Sequence, residues 1–337
     1  MLGVINLDAK KKTTLTSQIV EAIIAKIDEG TLAKESFLPS LTDFIREYKV
    51  AKATVEKAYN ILKDRGYIGS VPGKGYYVRG NVGDKIKVLF ILNKISSFKK
   101  ITYYSFLNKI GEGVIVDLQI HHYKPKLLED IISHNINRYN YFVIMPHFEV
   151  GVSSDSYIKI IKRIPSNQLL LLDKNIPELS ARRVVYQDFS LDIFDALISA
   201  KSCMDKYQNI VLVFPEYRNH PIEIIKGVEK YGAEQNKKVN IVYNNVAKMD
   251  LTRGTAYIII SDEDLPTVIM KVRRSEFVLG KEVGIISFNE SDLKDVLGIS
   301  VISTDFGKMG ETAAELILNN KNEIIRNPFY FIERGSI

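Results

Sequence analysis

The sequence predicts an α/β protein that opens with a small helical module and a hairpin. Three observations carry that class. Within the first 80 residues, three stretches repeat apolar residues at helical spacing and lead into two short apolar runs around a glycine-rich turn, "YIGSVPGKGYYV". From Lys87 onward, apolar runs of strand length alternate with stretches of helix length, the pattern of parallel sheets covered on both faces. Between the two textures lies "RGNVGDK" at 79–85, polar and without an apolar cluster. The implied boundaries are residues 1–79 for the small domain, 80–85 for a linker and 86–337 for the large domain.

In the small domain, "LTSQIVEAIIAKIDEGTL" sets Leu15, Ile19, Ile23 and Ile27 four residues apart, with Val20 and Ile24 alongside, and Gly30 follows as a stop. "LPSLTDFIREYKV" offers Ser40 as an N-cap, Asp43 as the capping-box acid, and Leu41, Phe44 and Ile45 as the inner side. "VAKATVEKAYNILKDRG" turns Val55, Ala58, Tyr59 and Leu62 inward, shows Lys52, Ala53, Thr54 and Lys57 outward, and ends at Gly66. Two helices joined by a short turn, the second with a basic outer face, fit a helix-turn-helix whose second helix enters the DNA major groove. Lys52 can donate to a guanine edge or a phosphate, and Thr54 can meet a thymine methyl or a phosphate. In the hairpin, Gly73 and Gly75 permit the positive φ of a tight turn and leave Lys74 at the tip as a second cationic contact.

In the large domain the strand-like runs are "KVLFIL", "YFVIM", "LLLL", "RVVY", "IVLVF", "VNIVY", "AYIIIS" and "VGIISF". Separating most of them are "SFLNKIGEGV", "KLLEDIISHNI", "SYIKIIKRI", "DIFDALISAKSCMDK", "PIEIIKGVEKYGAE" and "LPTVIMKVRRSE", each read as a helix. Ligands of such sheets bind beyond the carboxyl ends of the strands.

Composition narrows the function. Hydrophobic residues make up 46% of the 337-residue chain, enough for a sizeable core. The net charge is +6, and residues 1–80 hold 13 Lys and Arg against 9 Asp and Glu, so most of the excess sits where DNA contact is expected. Cys203 is the lone cysteine, which excludes an intrachain disulfide and a cysteine metal cluster. The adjacent pair His121-His122 lacks the spacing that turns two imidazoles to one metal, and no cofactor is expected. No apolar run is long enough to span a membrane and no signal-peptide order appears, so a cytoplasmic location is expected. No P-loop, G-x-S-x-G or dinucleotide fingerprint is present, and the chain does not read as an enzyme.

The order of helix, capped helix, basic helix and Gly-x-Gly hairpin over Leu15 to Val78 resembles the winged-helix domain of the GntR family of bacterial transcription regulators. "LPS" at 38–40, "ATVEKAYNIL" at 53–62, "GYI" at 66–68 and "GKGYYV" at 73–78 carry the likeness. It implies double-stranded operator DNA as a partner and Ser40, Thr42, Lys52, Ala53, Thr54, Lys57, Lys74 and Gly75 as contacts. Thr42 stands where the family usually has an arginine, and Ala51-Lys52 where it has Ser-Arg. Lysine keeps the charge but loses the planar fork, and a missing cap at Ala51 costs about 1 kcal/mol of local stability.

Residues 86 to 334 resemble the ligand-binding domain of LacI-family regulators, which shares the type I periplasmic sugar-binding fold. "GKEVGIISFNES", "YIIISDED", "LLLLDKNIP", "RVVYQDFSLDIFDAL" and above all "ISVISTDFGKMGETAAELIL" carry this likeness. It implies two α/β lobes, the first 86–187 with part of the end and the second mostly 188–302, and a sugar or sugar phosphate in the cleft between them. Strand ends and the family's aromatic pair nominate Ser97, Phe98, Tyr103, Tyr104, His147, Phe148, Asp173, Lys174, Arg218, His220, Asp262, Asn289 and Glu290 as effector contacts. Asp173, Asp188 and Asp262 fit helix caps equally, and Tyr103 and Tyr104 also fit a core. The family's arginine falls at Ile224, and Asn289 replaces its usual aspartate, so the sugar's identity does not transfer.

The combined expectation is a homodimeric, sugar-responsive repressor of a carbohydrate-utilisation operon. The alternative is a sugar-binding module whose winged helix serves protein contacts or nonspecific nucleic-acid tethering. Salt dependence that is the same on every DNA sequence distinguishes the second from the first.

Overall fold

The structure, a computed structural model, describes residues 7–8, 13–79, 86–215, 220–243 and 246–337, except the side chain of Asp28. The linker expected at 80–85 lies outside these residues. Two compact units make up the chain: the first is residues up to Val88 together with Gly113–Ile115 and Asn137–Asn140, and the second is the rest.

In the first unit, α1 (Leu15–Asp28), α2 (Leu41–Tyr48) and α3 (Lys52–Asp64) are followed by the antiparallel strands β1 (Ile68–Val71) and β2 (Gly75–Val78). The apolar stripes read from the sequence form the core: Ile19, Ile23, Phe44, Val55, Ala58, Tyr59, Leu62, Ile68 and Val78 are fully buried together. Tyr59 ties the parts of the unit. Its hydroxyl donates to the Pro39 carbonyl just before α2 at 3.1 Å, and its ring meets Phe44 and Tyr76 edge to face. Burial drives the phenol pKa above its ordinary value. Ser40 caps α2 by accepting from the Asp43 amide at 3.1 Å, whereas Ala51 offers α3 no side-chain acceptor. The hairpin closes through the Lys74 amide donating to the Val71 carbonyl at 3.1 Å, with Gly73 and Gly75 at φ of 78° and 102°.

The second unit alternates strands and helices through β3 (Ile86–Leu92), α4 (Ser97–Ile110), β4 (Val114–Ile120), α5 (Pro125–Asn135), β5 (Tyr141–Ile144), α6 (Ser154–Ile161), β6 (Leu169–Asp173) and β7 (Arg183–Tyr186). It continues through α7 (Phe189–Ser199), α8 (Lys201–Met204), β8 (Asn209–Phe214), α9 (Glu223–Glu234), β9 (Lys238–Tyr243), β10 (Thr255–Ile259), α10 (Leu265–Arg274), β11 (Val283–Phe288), α11 (Asp292–Val296) and β12 (Ser300–Thr304). Last come α12 (Phe306–Leu318), β13 (Ile324–Arg326) and β14 (Phe329–Ile332). Strand β3 begins in the last residues of the first unit. Among the described residues these strands form two six-stranded sheets, ordered β4-β3-β5-β6-β7-β13 and β9-β8-β10-β11-β12-β14. Pairing in the second sheet is parallel except for β14, which runs antiparallel to β12.

Each sheet defines a lobe, and the chain passes between lobes after β7, after β12 and after β13. The passages are tied to one another. The Asn327 amide N–H donates to the Tyr186 carbonyl at 2.7 Å, its side chain donates to the Asp305 carbonyl at 2.9 Å, and the Asp305 amide donates to the Pro328 carbonyl at 3.0 Å. Arg326 reaches Asp192 at 2.6 Å and Asp195 at 2.8 Å on α7. Helix α12 returns to the first lobe and packs on α4 so closely that a Cβ on Gly310 would lie 2.1 Å from the Thr102 carbonyl oxygen. No helix among the described residues is long and apolar enough to cross a membrane.

Strands β4, β13 and β14 were not among the expected runs, and one stretch expected as a helix departs as well. "SFLNKIGEGV" is not a single helix: α4 ends at Ile110, Gly111 breaks it at φ 76°, and Val114 opens β4. The strand was hidden because it lies at the sheet edge, half exposed and without clean alternation.

Candidate nucleic-acid interface and ligand cleft

On the first unit, α3 presents Lys52, Ala53 and Lys57 exposed and Thr54 half-buried, opposite its buried face. Lys52 lies 3.7 Å from Glu56 one turn on, an exposed pair that DNA phosphate can displace at small cost. Thr42 is exposed on the first turn of α2. Ser40 is engaged in capping, accepting from the Asp43 amide and donating to the Asp43 carboxylate at 2.7 Å, so its hydroxyl shapes the helix start. Lys74 is exposed at the hairpin tip beside half-buried Gly75. Sequence reasoning passed over Lys49, an exposed cation held at φ 51° in the turn between α2 and α3.

In the second unit, a cavity of about 460 Å³ opens between the lobes at the carboxyl ends of the strands. That volume suits a small ligand. Lys94, Phe98 and Tyr123 line it from the first lobe, and His220, Ser261, Asp262, Glu263, Phe288 and Asn289 from the second. Phe98 stacks on Phe306 at the start of α12, ring centroids 4.9 Å apart. Tyr123 is delivered by a turn in which His122 and Tyr123 both adopt left-handed backbone, φ 49° and 61°, a costly conformation for such residues.

Four of the effector contacts expected from sequence therefore meet in one cavity: Phe98, His220, Asp262 and Asn289. The others stand elsewhere. Ser97 is exposed on the first turn of α4, outside the lining. Tyr103 packs edge-on against Phe90 at 5.4 Å on the sheet side of α4, and Tyr104 beside it is exposed; neither lines the cavity. Phe148 stacks between His121 and Tyr157 within the first lobe. Lys174 is exposed, and the Glu290 carboxylate accepts from Arg334 at 2.7 Å. Arg218 lies outside the described residues. Asp188 caps α7 by accepting from the Leu191 amide at 3.1 Å.

His147 and Asp173 belong to a buried cluster at the base of the crossovers. The Asp173 carboxylate takes hydrogen bonds from the Lys99 ammonium and the Gln187 side chain, and lies 2.9 Å from His147 Nε2. Gln187 in turn accepts from Thr304 at the end of β12. Burial alone would raise the Asp173 pKa, but Lys99 and His147 outweigh it and hold the carboxyl well below the usual range. Lys99, Lys94 and Tyr123 were not nominated from sequence. Tyr123 follows a strand that the sequence reading had not assigned, so its place at a strand end went unseen.

Residues 15–78 match the family model of bacterial regulatory proteins, gntR family. No curated protein matches the chain in sequence. Among solved structures, the trehalose repressor from Escherichia coli superposes with a TM-score of 0.60 at 13% identity, covering 74% of this chain and 100% of that one. The Escherichia coli transcriptional repressor ascG does so at 0.60 and 15% identity, covering 75% and 98%. A periplasmic binding protein/LacI transcriptional regulator from Alkaliphilus metalliredigens QYMF, complexed with D-xylulofuranose, reaches 0.52 at 14% identity, covering 74% and 98%. At such identities the likeness shows the fold. The pairing expected from sequence is found as a fold: an N-terminal domain matching the gntR model, then two α/β lobes with the fold of these repressor structures.

Proposed function

We propose that the protein is a DNA-binding transcription regulator, a repressor of a carbohydrate-utilisation operon whose operator affinity changes when a sugar or sugar phosphate occupies the interlobe cavity. The observation that carries the reading is the junction of a gntR-type helix-turn-helix, basic on its outer face, with a two-lobed domain holding a ligand-sized cavity of mixed polar and apolar lining. The solved neighbours named as repressors, and the one complexed with a sugar, support the same reading. Two copies in the cytoplasm would place two α3 helices on the half-sites of a two-fold operator. Ligand closing the lobes would alter the relation of the two winged helices.

Binding at the two sites is then linked. If sugar weakens operator affinity by some factor, operator weakens sugar affinity by the same factor. The test is a titration of sugar into the protein with and without its operator fragment. Equal sugar affinity in both titrations would rule out ligand-controlled repression. In a parallel binding assay, Lys52→Ala lowers operator affinity and reduces the salt slope by about one if the ammonium meets phosphate. An unchanged slope would remove Lys52 from the phosphate contacts.

A further inference from the structure

Helix α2 ends on a residue that its backbone does not favour. Lys49 caps it at φ 51° and ψ 41°, its amide N–H donating to the Ile45 carbonyl at 2.9 Å. A left-handed residue at a helix end is usually glycine, because a Cβ crowds the following carbonyl oxygen. The other two helices of the unit follow that preference, with Gly30 after α1 at φ 74° and Gly66 after α3 at φ 83°. Val50, next in the chain, is buried in the core of the unit, so the turn is fixed while the Lys49 side chain stays in solvent.

No contact within the chain accounts for a lysine here. Among the described residues Lys49 makes no ion pair and no side-chain hydrogen bond, whereas Arg46 is bound to Asp43 at 2.6 Å and Lys52 lies 3.7 Å from Glu56. A cation at a helix C-terminus gains from the helix dipole, but water and salt weaken that gain at so exposed a place. Its position in the motif gives the charge a use. With α3 in the major groove and α2 crossing the backbone, the turn that joins them stands at the lip of the groove, where the phosphates are. Helix α2 brings little free charge of its own to that place, since Thr42 is neutral and Arg46 is already paired.

We infer that Lys49 is a phosphate contact of the helix-turn-helix, a free cation held in the turn although glycine would suit the backbone better. A phosphate contact carries no sequence information, so Lys49 adds affinity on every duplex and leaves the preference among sequences unchanged. This contact extends the DNA-binding reading proposed above and depends on it.

The test is binding of the full chain to a fluorescein-labelled duplex of about 30 base pairs and mixed sequence, read by anisotropy from about 50 to 200 mM potassium chloride, with thermal unfolding alongside. Lys49→Gly removes the charge and relaxes the backbone. It lowers affinity and flattens the slope of log affinity against log salt by about 0.9, while its melting midpoint stays at or above that of the wild type. Lys49→Ala flattens the slope equally but melts below Lys49→Gly, since it keeps the Cβ. Lys49→Arg retains the wild-type slope. An unchanged slope in Lys49→Gly, or a slope in Lys49→Arg as flat as in Lys49→Gly, overturns this inference and leaves the DNA-binding reading standing. Failure of the wild type to bind the duplex at the lowest salt overturns both.

Discussion

Two buried carboxyls show how charge is handled in the second unit, and they respond to acid in opposite senses. Asp173 is depressed, with Lys99 and His147 outweighing its burial. Asp192, on α7 and paired with Arg326, is pushed up to about 6 because burial there outweighs the guanidinium. The folded state holds its proton on Asp192 more tightly than the unfolded chain does, so this group adds stability as pH falls from about 6 toward 4. Asp173 contributes stability above its unfolded pKa and loses it as pH falls below about 4. Burial also lowers His121 to about 4, which costs stability as pH drops below about 6.5, so the Asp192 effect is read by difference. In urea unfolding between pH 6.5 and 4.5, Asp192→Asn should lose the relative gain that the wild type makes. Parallel pH profiles for the two proteins would refute the assignment. Lys99→Met leaves Asp173 buried without its ammonium, and the loss expected from urea midpoints is about 3–5 kcal/mol. At this scale the sequence was half legible. Asp262, Asn289 and His220 could be picked out because strand ends could be. Lys99 could not, since one lysine in the first turn of α4 carries no signal until the fold shows what surrounds it.

Among the elements, the small domain was readable almost to the residue, because three apolar stripes and the glycine stops after α1 and α3 leave little freedom. Its weak point was readable too. Ala51→Ser would supply the missing cap of α3 and raise the unit's stability by about 1 kcal/mol, and an unchanged melting midpoint would show that the Ala51 backbone cannot accept the cap geometry. Glycines at close contacts were less legible. A Cβ on Gly69 would sit 2.5 Å from the Tyr77 ring across the hairpin, and one on Gly310 would strike the backbone of α4. Tyr77 can swing aside toward solvent, but α4 cannot, so Gly310→Ala should cost about 1–3 kcal/mol and Gly69→Ala less. Calorimetry that ranked them in the reverse order would contradict this account. The elements missed were edge or late strands, β4, β13 and β14, whose partial burial blurs their period.

The whole molecule explains why the lobes cannot be treated as beads on a string. Each is assembled from segments far apart in sequence, and three tied passages join them. Sequence texture revealed an α/β domain and its likeness revealed two lobes, but the hydrogen bonds that connect Tyr186, Asp305 and Asn327 have no local signature. The same topology sets an order of events during synthesis. A ribosome releases the strands β3 to β7 early, yet their helix partner α12 and outer strand β13 are translated only after every strand of the other sheet but β14. The first lobe must therefore wait, with the α4 groove for Gly310 unfilled and the β7 edge open, until residues 305–327 have been made. A truncated chain stopping at 187 should accordingly be protease-sensitive and prone to pair through that edge. Adding residues 305–327 as a separate peptide should restore protection, because a segment made after the second lobe's parallel strands completes the lobe made before them.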